Sequence, residues 1–347
     1  MSAVQDGWKA AARLHQALFT GLLLRVLLEK GEAAGAAFLF ETFKAQHDEK
    51  FLAALPALGL GGKPDAVACA QFFYLANKVG GVNVECIVES DRKAWIRYPP
   101  PRWAYMDAAI CAVPDSVTVG MMRGFHARCG ESLGNPRLGF VCTGTTTNGE
   151  PGLEGYFVEG VRSLGADEKL RFARDERGPS FDPDAAPAIA WDEARLAKAE
   201  RNYALNYIRQ MLPALRRVAG NEDGSAIADQ AARLVGMQLY GETARLVGGV
   251  EAGAAGFAQY LQAMLAACGD TAAITQSGKT IAVEQQGWRM MNGAAGASAA
   301  DFQAWAALWR GACTVHDPAL TLSLEPGPVL SEPVSDITCR WVLASSH

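Results

Sequence analysis

Two short stretches of the chain set a thiol beside an imidazole. His126 and Cys129 are three positions apart, so a helix would carry them on one face, and Cys313 and His316 repeat the pair with the residue types exchanged. A thiolate next to an imidazole is a workable nucleophile and base, because the ion pair lowers the thiol pKa and keeps the sulfur reactive. The same residues also suit plain packing, with cysteine as a small hydrophobe and histidine closing a helix against its dipole. If the two helix ends met, the four side chains could hold zinc tetrahedrally. Cys142 alternates with Leu138 and Phe140, as a strand residue buried with them would, yet Thr143 to Asn148 after it offer hydroxyls and an amide to a polar substrate atom. Cys86 alternates with Val84 and Val88 and reads as core.

Cationic and aromatic residues gather around Pro99-Pro100-Pro101: Arg97, Tyr98, Arg102, Trp103 and Tyr105. Three prolines stiffen the segment and present its side chains at low entropic cost, and an arginine there could hold a substrate carboxylate bidentately. Glu85, Glu89 and Asp91 add carboxylates nearby. The expected site therefore has Cys129, His126 and Cys142 as catalytic groups. Arg97, Tyr98, Arg102, Trp103, Thr145 and Glu85 are its binding groups, with no cofactor and zinc as the alternative. Common templates fail. Gly59-Leu60-Gly61-Gly62-Lys63 has Ala57 and Pro64 where a phosphate loop needs Gly and Ser/Thr, and Ser90 and Lys93 flank a turn instead of sharing a helical face.

The elements that would position these residues occur twice, in the same order and at nearly constant spacing. Leu14, Leu18, Leu22 and Val26 form a helical stripe ending at Gly31, and Tyr207, Met211, Leu215 and Val218 form another ending at Gly220. A helix follows in each copy, from Phe38 to Phe51 and from Ile227 to Leu239. A third contains Ala70-Gln71-Phe72 before Gly81, or Ala258-Gln259-Tyr260 before Gly269. Hairpins around Ser90-Asp91-Arg92 and Ser277-Gly278 come next, then Trp103 and Trp288, and then helices with Arg123-Gly124 and Arg310-Gly311. Asn135-Pro136 and Asp317-Pro318 open the last hairpins. The expectation is an α+β fold of two tandem helix-rich domains, each with a small antiparallel sheet, related by a pseudo-two-fold. Residues 1–164 form the first copy, 165–195 a charged, Pro- and Gly-rich linker, and 196–347 a second copy with a mainly structural role.

A net charge of -5 leaves no basic excess for nucleic acid or an anionic membrane, so a small molecule is the expected partner. Eight cysteines without C-x-x-C pairs read as free thiols. Asp6 interrupts any signal-peptide pattern, and Arg25, Glu29, Lys30 and Glu32 break the apolar stretch from Leu18 to Phe40, so the expected compartment is the cytosol.

The segment from Asn135-Pro136 through Thr145-Thr146-Thr147-Asn148 to Gly149-Glu150-Pro151, followed by Tyr156-Phe157-Val158, resembles the end of the L-2-amino-thiazoline-4-carboxylic acid hydrolase family. That family closes with an Asn-Pro strand, a Thr-rich hairpin, Gly-Asp-x-x-Cys and an aromatic strand. The first copy has Gly149-Glu150 with Leu153 in place of the cysteine, and the second has Ser335-Asp336 with Cys339 and Trp341. The family's upstream cysteine corresponds to Cys129. The resemblance implies a hydrolase opening a small sulfur/nitrogen heterocycle by adding water across a C=N bond, with a thiol nucleophile and a substrate that carries a carboxylate. Ligand-binding domains of the vinyl-reductase type are similar over the same strand. They imply the contrasting reading, a non-catalytic small-ligand binder or sensor. Either is compatible with a homo-oligomer.

Overall fold

A computed structural model describes residues 3–278, 280–325 and 337–345. The fold is α+β, and the chain divides into two compact units: a central one, Lys30–Asp192, and a terminal one made of Met1–Glu29 with Glu193–His347. The division cuts across the expected copy boundaries. Helix α1, Ala3–Ala57, is broken at Gly31, whose φ of 81° and ψ of -178° a side chain would not tolerate, and its part before the break belongs to the terminal unit.

In the central unit the rest of α1 is followed by α2 (Asp65–Lys78), with Asp65 in its first turn and Lys78 in its last, charges that suit the helix dipole. Strands β1 (Glu85–Ser90) and β2 (Lys93–Tyr98) form a hairpin, α3 (Asp115–Gly124) and the single turn α4 (Cys129–Ser132) follow, and β3 (Leu138–Gly144), β4 (Leu153–Glu159) and β5 (Leu170–Phe172) complete the sheet. Its order is β1-β2-β4-β3-β5, antiparallel except where β5 runs parallel to β3. Side chains alternate across it. Cys86, Ile96, Phe140 and Phe157 occupy one face with Cys142. The other carries Trp95, Val141 and Tyr156, packed with Ile87, Val158 and Ala173. The segment expected to be a linker thus supplies both β5 and a strap over the outer face. Its Pro, Gly and charge content marks irregular backbone, and the boundary between the two units falls near its end, at Asp192 and Glu193.

In the terminal unit the start of α1 is joined by α5 (Glu193–Ala219), α6 (Asn221–Leu246), α7 (Gly253–Cys268) and α8 (Ala299–His316). Strands β6 (Thr271–Ser277), β7 (Thr280–Gln286), β8 (Leu320–Glu325) and β9 (Thr338–Ser345) form a sheet of order β6-β7-β9-β8. Its core is rich in tryptophan: Trp288, Trp305, Trp309 and Trp341 are fully buried. His15 is satisfied there, donating from Nδ1 to the Ala11 carbonyl at 2.8 Å and accepting the Trp305 indole N–H on Nε2 at 3.1 Å. Burial, with Arg201 nearby, lowers its pKa to about 4, so the ring is neutral.

Close helix crossings explain two of the glycines. A Cβ on Gly124 of α3 would lie 2.5 Å from the Phe40 carbonyl oxygen of α1, and one on Gly311 of α8 would lie 2.1 Å from the Arg233 carbonyl oxygen of α6. Helix α1 also contains a stretch that is long and apolar enough, by length and composition, to cross a membrane. The sequence reading did not anticipate it, and 61% of that stretch is buried within the protein. Ser335 and Asp336 lie outside the described residues.

Candidate functional site

The thiols expected to be reactive are buried. Helix α3 stops after Gly124, His126 falls in a 3-10 turn, and Cys129 opens the next turn, so no continuous helical face presents the pair. The Cys129 thiol donates to the Phe125 carbonyl at 3.7 Å, and Cys69, buried and hydrogen-bonded to it, is pushed well above the ordinary thiol range. Burial drives Cys142 up to about 12, and its thiol donates to the Gly144 carbonyl at 3.4 Å. His126 lies flat on Phe73, with ring centroids 4.2 Å apart and planes 7° from parallel, and neither ring nitrogen has a hydrogen-bond partner among the described residues. Burial, aided by His47 and Arg102, lowers it to about 3. These environments hold the Cys142 thiol and the His126 imidazole neutral, the reverse of what an activated nucleophile and base need. In the terminal unit His316 is engaged by the Tyr240 hydroxyl at 2.5 Å and the Gly253 carbonyl at 2.9 Å, while burial raises Cys313 to about 12. Among the described residues no three His, Cys, Asp or Glu side chains are grouped to hold a metal ion.

Charge concentrates instead at one end of the outer face of the central sheet. A cavity of about 390 Å³ opens there, lined by Glu85, Arg97, Thr143, Glu150, Glu154 and Arg177 among others. The ladder aligns Glu85, Arg97 and Glu154 across three neighbouring strands. Arg97 donates from Nε to Glu154, from Nη1 to Glu85 at 2.8 Å, and from Nη2 to the Pro179 carbonyl at 3.2 Å. Burial works against its charge, but the two carboxylates outweigh this and raise its pKa. Glu154 also accepts the Thr143 hydroxyl at 3.1 Å and the Gly178 N–H at 3.0 Å.

The Thr-rich hairpin beside the cavity is tied down from below. Asp115, in the first turn of α3, accepts the hydroxyls of Thr145 at 2.5 Å and Thr147 at 2.8 Å and pairs with Arg174 at 3.2 Å. Glu150 accepts the Thr145 N–H at 2.9 Å, the Asn148 amide at 2.9 Å and Arg174 at 2.8 Å. Burial would raise the Glu150 pKa, and these donors more than reverse it, so the carboxyl lies below its ordinary value. The strap is fastened again by the Tyr156 hydroxyl, which donates to Glu176 at 3.1 Å.

Of the binding residues expected from sequence, Glu85 and Arg97 line the cavity, and Thr145 is buried as the tie beneath it. Tyr98 turns to the helix side, where its hydroxyl accepts the Asn77 amide at 3.4 Å. The Arg102 guanidinium stacks 5.5 Å from the Tyr98 ring, and neither Arg102 nor Trp103 lines the cavity. Cys129, His126 and Cys142 do not line it either. Thr143, named among the hairpin hydroxyls, also lines the cavity, and sequence reasoning missed Glu150, Glu154, Arg174 and Arg177. The signal that could have found Glu154 is its place between the apolar Leu153 and Tyr156 of β4, with Arg97 in the neighbouring aromatic strand. Arg174 and Arg177 were hidden in the presumed linker. No family model, curated protein or solved structure matches the chain.

Proposed function

We propose that the protein is a cytoplasmic small-molecule binder whose site is the charged cavity of the central unit. The observation that carries this reading is Arg97 held between Glu85 and Glu154 in the cavity wall, with the Pro179 carbonyl of the strap as a third acceptor. Groups fixed in this way before a ligand arrives reduce the ordering cost of binding, and about 390 Å³ suits a small metabolite. Arg177 supports a carboxylate-bearing ligand. Its Nη1 donates to the Arg174 and Glu176 carbonyls, and among the described residues it has no acidic partner, whereas Arg97 already pairs with Glu85 and Glu154. The carboxylate clamp is therefore assigned to Arg177 in preference to Arg97 or Arg102.

Hydrolysis by a thiol is the weaker reading, because a buried thiol with a raised pKa supplies little thiolate at neutral pH. A hydrolytic activity in this cavity would use Glu85 to activate water, since its Oε2 pairs with Arg97 and its Oε1 accepts nothing from the described residues. We also propose that the chain arose by tandem duplication. The shared strand order β1-β2-β4-β3 and β6-β7-β9-β8 supports this, as do the matching breaks at Gly31 and Gly220 and the matching glycine crossings at Gly124 and Gly311.

Calorimetric titration with 2-amino-thiazoline-4-carboxylate, the compound the sequence resemblance implies, separates the readings. Binding without turnover is expected, unchanged in C129S and C142S. Loss of a charge-assisted hydrogen bond in R177A should weaken it by about tenfold or more. Turnover abolished by C129S or C142S would overturn the assignment.

A further inference from the structure

The exposed edges of the two sheets are treated differently. An edge strand offers a row of unpaired N–H and C=O groups to any passing strand, and folds blunt such edges with charge, bulges or short length. In the central unit β1 carries Glu85 and Glu89 and is bulged between Val88 and Ser90, and β5 has three residues. In the terminal unit β6 has none of these devices. Its seven residues, Thr271-Ala-Ala-Ile-Thr-Gln-Ser277, include no charge and no proline, pair with β7 in unbroken register, and are mostly exposed, with Ile274 38% accessible.

The register says which backbone groups face outward. Ser277 and Thr280 close a two-residue turn and so form a hydrogen-bonded pair, which turns the N–H and C=O of Thr275, Ala273 and Thr271 toward β7 as well. Ala272, Ile274 and Gln276 therefore point theirs away from the sheet. The Gln262 side chain of α7 agrees with this, since its amide donates to the Ala272 carbonyl at 2.9 Å.

We propose that β6 pairs antiparallel with β6 of a second copy of this chain, about a two-fold axis at Ile274, joining the two terminal sheets into one of eight strands. The occupant is a second copy because the strand complements itself. With Ile274 opposite Ile274, Ala272 meets Gln276, Ala273 meets Thr275 and Thr271 meets Ser277, so no like charges oppose one another and every outward group finds a partner. A C2 contact of this kind closes and does not propagate. Gln262 competes for the Ala272 carbonyl and weakens the pairing.

Sedimentation equilibrium of the full chain from micromolar to near-millimolar concentration tests it. A concentration-dependent dimer is expected, with I274K raising the dissociation constant by about tenfold or more, as lysine on an edge does. I274P should act likewise, because it removes an outward N–H and leaves the ladder to β7 intact. Q262A should tighten the dimer. The double variant A273C/T275C should form a disulfide-linked dimer with oxidised glutathione. A chain that stays monomeric throughout the range overturns the proposal, as does a dimer indifferent to I274K, I274P and Q262A.

Discussion

The two units place opposite charges across corresponding strands. In the central unit Arg97 on β2 faces Glu154 on β4, and in the terminal unit Glu284 on β7 faces Arg340 on β9. Only the first arrangement becomes a cavity wall. Arg97 is gripped by two carboxylates and a strap carbonyl, whereas Glu284 is exposed and accepts the Thr275 hydroxyl at 3.5 Å, and Arg340 pairs with Glu325 at 3.5 Å. A sheet of the same order does not make a site by itself. The Thr-rich hairpin and the strap convert a cross-strand ion pair into a fixed cavity wall. The interiors differ as well: among the described residues His15 has both ring nitrogens engaged, and His126 has neither.

The largest expected effect tests what the units share. G124A and G311A each force a methyl group against a helix carbonyl. Overpacking of about 3 kcal/mol should outweigh the ~1 kcal/mol by which alanine favours a helix, leaving a net loss of about 2 kcal/mol. Urea unfolding should give similar losses at the two sites. A neutral G311A beside a damaging G124A would break the correspondence.

A second effect, set by titration, sharpens the contrast. Burial lowers His126 to about 3 and His47 and His15 to about 4, from the ordinary 6.5. Above pH 6.5 both folded and unfolded chains hold these rings neutral. Below it the unfolded chain takes up protons that the folded chain refuses, so stability falls as pH drops from 6.5 toward 3. Asp270 acts in the other sense. Burial raises it to about 7, so between 3.8 and about 7 the unfolded chain loses its proton first and stability falls as pH rises. H126F should flatten the acid limb of a stability–pH profile, and D270N should remove the opposing slope. At pH 7, H126F should match the wild type or gain about 1 kcal/mol, since it replaces an unpaired buried ring. It should also bind 2-amino-thiazoline-4-carboxylate as the wild type does. A base at position 126 would instead be indispensable.

The smallest effect concerns the strap. R174A removes partly exposed ion pairs to Asp115 and Glu150 and should cost about 1 kcal/mol or less. Amide exchange at residues 173–180 should rise while the terminal unit is unchanged. Unaltered exchange there would show that these contacts do not hold the strap.

Element order was legible in the sequence because apolar periodicity and the closing glycines report local geometry directly. Gly31 and Gly220 were read correctly as helix ends. Nothing in their neighbourhoods tells that the helix before Gly31 belongs with residues two hundred positions later, because that depends on long-range packing. Cys129, Cys142 and His126 were singled out for reactivity that depends on exposure, and alternation had already hinted at burial for Cys142. Arg97 was found because it clusters with aromatic and cationic residues around Pro99-Pro100-Pro101, and Glu85 because it adds a carboxylate to that cluster. Arg174 and Arg177 were missed because a strap and a linker share the same composition.

The central claim is that ligand meets the ionic cavity of the central unit and not its thiols. Amide chemical-shift mapping during titration with 2-amino-thiazoline-4-carboxylate tests this directly. The account predicts the largest shifts at Gly144 and Gly152, which line the cavity, with Ala127 and Gly130 beside the buried pair undisturbed. Shifts centred on Ala127 and Gly130, with the cavity glycines silent, would contradict it.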